Sequence, residues 1–185
     1  MCTANICRSP LAAAILGQSA AAGGMSEIRA ASAGFLEGGR PVHEHVSTIL
    51  SERGIDASRK RSQKLTDQVV GPADLILTMT SEHARGVVGR FPHSIGKVYT
   101  LRHFATVVTP RPADTQTSEW LDDVNRANKR AYLGDDDSRD ISDPIGHPMP
   151  VFRTLADELT SSIDWIVSSA FYTGVAENDS SDAPL

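Results

Sequence analysis

CTANICRSP, residues 2–10, holds both cysteines of the chain and one of its arginines within nine positions. Pro10 stands where a first helical turn is expected, and the alanine-rich run after it, LAAAILGQSAAA, reads as a helix ended by Gly23 and Gly24. The stretch is therefore a loop running into a helix N-terminus. Consecutive backbone N–H groups in a tight turn form an anion-binding nest, and the helix adds its partial positive charge. Arg8 offers a planar fork able to hold two oxygens of a tetrahedral oxyanion. Five residues between Cys2 and Arg8 let the loop close so that the sulfur sits beneath the oxyanion. The same positive surroundings favour a thiolate, the nucleophilic form of cysteine. Asn5 tolerates the left-handed backbone that such a curl needs, and Ser9 is placed to donate a hydrogen bond to the sulfur.

Bulk properties restrict the alternatives. The chain has 185 residues, 40% hydrophobic and 22% charged, enough for one domain with a sizeable core. Its net charge of −5 argues against a non-specific nucleic-acid binder. No apolar run is long enough to span a bilayer and no secretory leader precedes the loop, so no membrane insertion is expected and the expected location is cytoplasmic. Two cysteines this close do not make a secreted disulfide framework. The six histidines are scattered, with His43 and His45 expected to face different ways on a helix. GDDDSRD lacks the glycine and distal glutamate of a calcium loop. No metal and no cofactor is assigned.

Along the chain, helices alternate with short apolar strands. EIRAASAG, ADLILTM and KVYTL read as strands, the second a continuous apolar run suited to burial on both faces. Helices are expected from Pro41 to Gly54, over TSEHARGVVGRF with Thr80 or Ser81 as N-cap, over LRHFATVV, over SEWLDDVNRANKRAYL and over PVFRTLADELTSSIDWIV. SRKRSQKLTDQVVGP reads as a basic surface connection with a short helical turn. This alternation predicts an α/β fold: a doubly wound, mostly parallel central sheet flanked by helices. Residues 1–172 are expected to form the domain, with 109–140 a polar insertion and 173–185 a disordered tail.

A phosphorylated cysteine needs a proton donor for the oxygen that leaves and a base for the water that follows. Asp143 in DISDPIGHP is the best candidate, because Pro144 holds it in extended backbone and Gly146 and Pro148 keep the segment a loop.

CTANICRSP, the distant D-P pair, SAGF at residues 32–35, RGIDASRKRSQKLT, ADLILTM and KVYTL together resemble the low-molecular-weight protein tyrosine phosphatases, in family order and over most of the chain. The resemblance implies hydrolysis of phosphate monoesters, above all protein phosphotyrosine, through a phosphocysteine. It implies Cys2 as nucleophile, Arg8 as phosphate clamp and Asp143 as general acid. Thr3, Ala4, Asn5, Ile6, Cys7 and Ser9 would form the phosphate-binding loop, with Asn5, Ser9 and Ser32 in the network that holds it. Cys7 would be the thiol that pairs with the nucleophile on oxidation in members that carry it; simple loop packing is the other reading.

The departures are specific. Ala4 stands where the family usually has glycine, which costs stability only if that position needs a positive φ. The family's pocket walls are aromatic, whereas here Leu36 and Ile145 stand at those places, so phosphatase chemistry is better supported than a tyrosine preference. Trp120 and Tyr132 are expected to pack their helix to the body rather than fold over the site. The family carries an apolar strand before the nucleophile, with valine preceding the cysteine; here only Met1 does. The usual first strand is thus expected to be missing from this chain, with Met1 a mis-assigned start and apolar residues encoded upstream. Competing readings are an arsenate reductase on the same scaffold, for which the chain lacks further cysteines, and a non-catalytic oxyanion- or phosphoprotein-binding module or truncated inactive form. The oligomeric state is not legible from these residues.

Overall fold

The computed structural model describes residues 1–128 and 137–171. Tyr132 and the tail expected from residue 173 lie outside them. Seven helices are described: α1 (Arg8–Ala22), α2 (Glu44–Glu52), α3 (Asp67–Val70), α4 (Ser81–Arg90), α5 (Leu101–Val107), α6 (Thr117–Ala127) and α7 (Met149–Phe171). Two strands, β1 (Ile76–Thr78) and β2 (Val98–Thr100), pair in parallel with Ile76 opposite Val98. Single parallel bridges extend the row, Cys2 with Gly34 and Gly34 with Lys64.

The first two residues join this row to the strands. The Met1 amino group donates to the Leu77 carbonyl at 2.6 Å, and Met79 N–H donates to the Met1 carbonyl at 3.1 Å. On the other side Cys2 N–H donates to the Ala33 carbonyl at 3.4 Å. Met1 and Cys2 thus lie in the row between Gly34 and β1. The predicted strand EIRAASAG is reduced to bridges at Gly34, which pairs in parallel with Cys2 and with Lys64.

Alternation along each strand sorts the core into two layers, because successive side chains point to opposite faces. Met1, Ile76 and Val98 join Val70, Ala84, Val87 and Phe91 beneath α3 and α4. Cys2, Leu77 and Tyr99 join Leu11, Ile15, Val46, Leu50, Phe104 and Phe152 beneath α1, α2, α5 and α7. That is the doubly wound arrangement. The apolar stripe of α7 is buried as its period predicts, with Phe152, Leu155, Leu159, Ile163 and Ile166 all in the core. Trp120 packs α6 to the body, its indole N–H donating to the Thr109 carbonyl at 3.0 Å. Among the described residues no helix is long and apolar enough to cross a membrane.

The histidine pair departs from expectation. His43 lies outside α2 as its N-cap, its Nδ1 accepting from His45 N–H at 3.3 Å, so helical spacing does not govern the pair. Both rings pack on Phe152, with centroids 4.8 and 4.9 Å away.

Candidate active site

The loop of residues 2–7 is curled, and one residue bears the curl. Asn5 has φ +55° and is the single described non-glycine residue with a positive φ. Ala4 therefore needs no left-handed backbone, and the alanine in place of glycine is harmless there. Asn5 is buried and uses both ends of its amide. Its Oδ1 accepts from Gln63 N–H at 2.8 Å, and its Nδ2 donates to Ser9 Oγ at 2.8 Å. Ser9 Oγ lies 3.0 Å from Cys2 Sγ. Ser9, which accepts from Asn5, still has its hydroxyl proton to offer the sulfur, as a thiolate there would require.

Strand-end residues clamp the loop from outside. The Thr3 carbonyl accepts from Phe35 N–H at 2.8 Å and Leu36 N–H at 3.1 Å, and the Ile6 carbonyl accepts from His43 N–H at 2.9 Å. Gly34 packs so closely that a Cβ there would lie 2.6 Å from the Thr3 carbonyl oxygen and 2.9 Å from Asn5 N. Support from the SAGF segment thus comes through the Ala33 carbonyl and the missing side chain of Gly34. Among the described residues Ser32 is half-buried and its hydroxyl makes no hydrogen bond. No side chain of the N-cap residue Cys7 takes up the N–H groups that open α1, the end of the helix that favours an anion.

Arg8 is buried at the start of α1 and reaches 135 residues along the chain. Its Nη1 donates to the Ile141 carbonyl at 3.0 Å and its Nη2 to Asp143 Oδ2 at 2.6 Å. The D-P segment is moored just ahead of that contact. Ile141 N–H donates to the Met79 carbonyl at 2.7 Å, and Asp140 Oδ1 accepts from Ser81 N–H at 2.7 Å at the start of α4. Asp143 itself is 47% exposed, and its Oδ1 accepts from Ile145 N–H at 3.2 Å, closing the turn that Gly146 completes with φ +84°. Two hydrogen-bonded groups, Cys2–Ser9–Asn5 and Arg8–Asp143, thus meet at the adjacent residues Arg8 and Ser9 at the start of α1, with Asp143 brought in from a distant segment. Leu36 and Ile145, 48% and 49% exposed, flank this cluster as aliphatic side chains.

Both cysteines are free and buried. Burial, then the nearby Asp143 and Cys2, pushes the Cys7 thiol up to about 12, so Cys7 stays protonated at neutral pH.

His83 is a site residue that sequence reasoning missed. It is buried on the first turn of α4, with Nε2 at 2.8 Å from Thr3 Oγ1 and Nδ1 at 2.7 Å from Thr80 Oγ1. Its ring stacks on Phe35 at 6.1 Å. Burial, then Arg8 and the Met1 amino group, lowers it to about 4, while Asp140 and Asp143 pull weakly the other way. The imidazole is therefore neutral at physiological pH. In TSEH, Thr80 reads as a helix cap and nothing more; only the folded chain brings Thr3 to it.

The family model described as low molecular weight phosphotyrosine protein phosphatase matches residues 1–119. A protein-arginine-phosphatase of Geobacillus stearothermophilus is 33% identical over 164 residues, 89% of this chain and 88% of that one. A probable low molecular weight protein-tyrosine-phosphatase, EpsP, of Ralstonia solanacearum is 41% identical over 101 residues, 55% of this chain and 67% of that one. Among solved structures, a low molecular weight protein tyrosine phosphatase from T. tengcongensis superposes with TM-score 0.68 at 29% identity, covering 90% of this chain and 94% of that one. The chain belongs to the low molecular weight protein tyrosine phosphatase family.

Proposed function

We propose that this phosphatase hydrolyses phosphorylated protein side chains through a phosphocysteine on Cys2. The Cys2 thiolate attacks phosphorus, the P–S bond forms, and the bond to the leaving oxygen breaks. Asp143 donates its proton to that oxygen. Asp143, now a carboxylate, takes a proton from water as the water attacks phosphorus; the P–S bond breaks, phosphate departs and the thiolate returns. Arg8 and the loop amides hold the equatorial oxygens, and the Ser9 hydroxyl stabilises the sulfur when it leaves. The observation carrying this reading is the 2.6 Å contact that brings Asp143 to the arginine of the Cys2 loop.

The test is hydrolysis of aryl phosphates with graded leaving groups. Cys2→Ser should abolish turnover. Asp143→Asn should lower kcat by about 10²–10⁴-fold, most for the poorest leaving group. Equal losses across the series would remove Asp143 from the acid role. Arsenate-dependent thiol consumption without ester hydrolysis would point instead to an arsenate reductase, and phosphate binding without turnover to a binding module.

Tyrosine phosphate is the first substrate reading, from the family. A second, arginine phosphate, is favoured by the aliphatic residues Leu36 and Ile145 at the rim and by the relative named for that activity, which this chain matches over most of its length. An aromatic ring gains about 0.5–1.5 kcal/mol from aromatic walls, which Leu36 and Ile145 do not supply. Parallel kcat/KM measurements on phosphotyrosyl and phosphoarginyl peptides decide between them.

A further inference from the structure

We propose that His83 is a positioning residue that turns the Thr3 hydroxyl proton outward, as a hydrogen-bond donor to the phosphoryl oxygens of the substrate. The inference rests on the phosphatase reading for its substrate but on separate geometry for its substance.

The distances fix the partners, and burial favours one direction for each hydrogen bond. Thr80 Oγ1 accepts from His83 backbone N–H at 3.1 Å as the cap of α4. Half-buried Thr80 spends its own proton best on His83 Nδ1, 2.7 Å away, whereas the exposed Thr3 hydroxyl has solvent or substrate to donate to. A neutral imidazole carries one N–H, so an accepting Nδ1 places that proton on Nε2. Nε2–H donates to Thr3 Oγ1 at 2.8 Å. The Thr3 hydroxyl accepts this bond and keeps its own proton unspent. Thr3 is exposed, follows Cys2 directly, and has its carbonyl tied to Phe35 and Leu36, so the hydroxyl is carried by a fixed backbone one residue after the nucleophile. The opposite tautomer would turn the Thr3 proton inward and present only lone pairs to the substrate.

The imidazole is itself held. Phe35 stacks on it with rings 28° apart, and the Arg90 guanidinium lies 4.3 Å from the Phe35 centroid. Gly86 on α4 makes room for this: a Cβ there would lie 2.8 Å from the Phe35 ring. Arg8 and Asp143 both act electrostatically on His83, so the imidazole lies in the field of the loop arginine and the D-P turn.

Two measurements test the proposal. The first is ¹⁵N NMR of the histidine rings in the full chain at pH 7, with and without inorganic phosphate. His83 is expected as the Nε2–H tautomer, and a His83 found as Nδ1–H overturns the proposal whether or not the chain turns over substrate. The second is a double-mutant cycle on aryl phosphate hydrolysis, with thermal melting to confirm folding. Thr3→Val should lower kcat/KM about five- to tenfold, the weight of one hydrogen bond, and weaken inhibition by inorganic phosphate equally. Thr3→Ser should restore both. In a His83→Phe background, Thr3→Val should cost less than twofold. Additive losses, or failure of Thr3→Ser to rescue, would overturn the proposal. Absence of Cys2-dependent turnover in the unaltered chain would instead sink the phosphatase reading, leaving the tautomer and phosphate titration to decide this one.

Discussion

Replacing Asn5 by alanine should unfold the loop before anything else. The side chain is 2% exposed, and its amide makes two hydrogen bonds, to Ser9 Oγ and from Gln63 N–H. Losing both costs about 2 kcal/mol at roughly 1 kcal/mol each. The backbone at φ +55° adds about 1–2 kcal/mol once the residue is alanine. The expected loss is therefore about 3–4 kcal/mol, equivalent to a Tm drop of roughly 6–16 °C for a chain of this size. Asn5→Gly separates the two parts. It forfeits the same hydrogen bonds but accepts the left-handed backbone, so it should lie about 1 kcal/mol above Asn5→Ala in stability. Urea unfolding followed by tryptophan fluorescence measures both, and aryl phosphate turnover should fall at least about tenfold in each, since Ser9 loses the partner that orients it toward Cys2. A glycine variant less stable than the alanine variant would refute the backbone part of the reasoning. An alanine variant within about 1 kcal/mol of the parent would refute all of it.

Two other outcomes follow from the same region. Gly34→Ala should drive its Cβ into the Thr3 carbonyl and Asn5 N, costing about 1–3 kcal/mol and most of the turnover, whereas Gly17→Ala on α1, where a Cβ meets open space, should cost neither; equal behaviour of the two in melting and kinetic assays would contradict the close approach. Stability should fall with acid through His83. Its folded value of about 4 lies below the ordinary 6.5, so between those pH values the unfolded chain binds more protons. The stabilisation is full above pH 6.5 and lost as pH drops toward 4. In His83→Phe this part of the decline should disappear from the urea midpoint plotted against pH, and an unchanged profile would argue against the depressed value.

Much of this arrangement was legible in the residues. A cysteine, an arginine and a serine at fixed spacing before a helix prescribe a loop around an anion, and the D-P turn announces its own shape. The helices carry their period openly, as α7 does. What the chain concealed is whatever depends on two distant segments touching. Gly34 looks like a strand-end glycine, and only the approach of Thr3 and Asn5 explains why nothing larger fits. His83 has no neighbour in sequence that marks it, because its partner Thr3 lies 80 positions away. The segment EIRAASAG has strand composition, yet a ladder needs a partner at every rung, and here it finds one at Gly34 alone within the parallel row. His43 misled for another reason, since a residue just outside a helix escapes helical geometry.

The Arg8 fork, which joins the first helix to a turn 133–135 residues later, also sets a timetable. Closing so long a loop is slow and costs chain entropy, so the contact is expected late in folding, once the segment moored on Met79 and Ser81 is in place. A half-finished molecule owns its sulfur but lacks the proton donor held by Arg8, so such a molecule is chemically silent. Regain of catalysis during refolding should then coincide with the last packing event rather than the first collapse, making turnover itself a clock for completion of the fold.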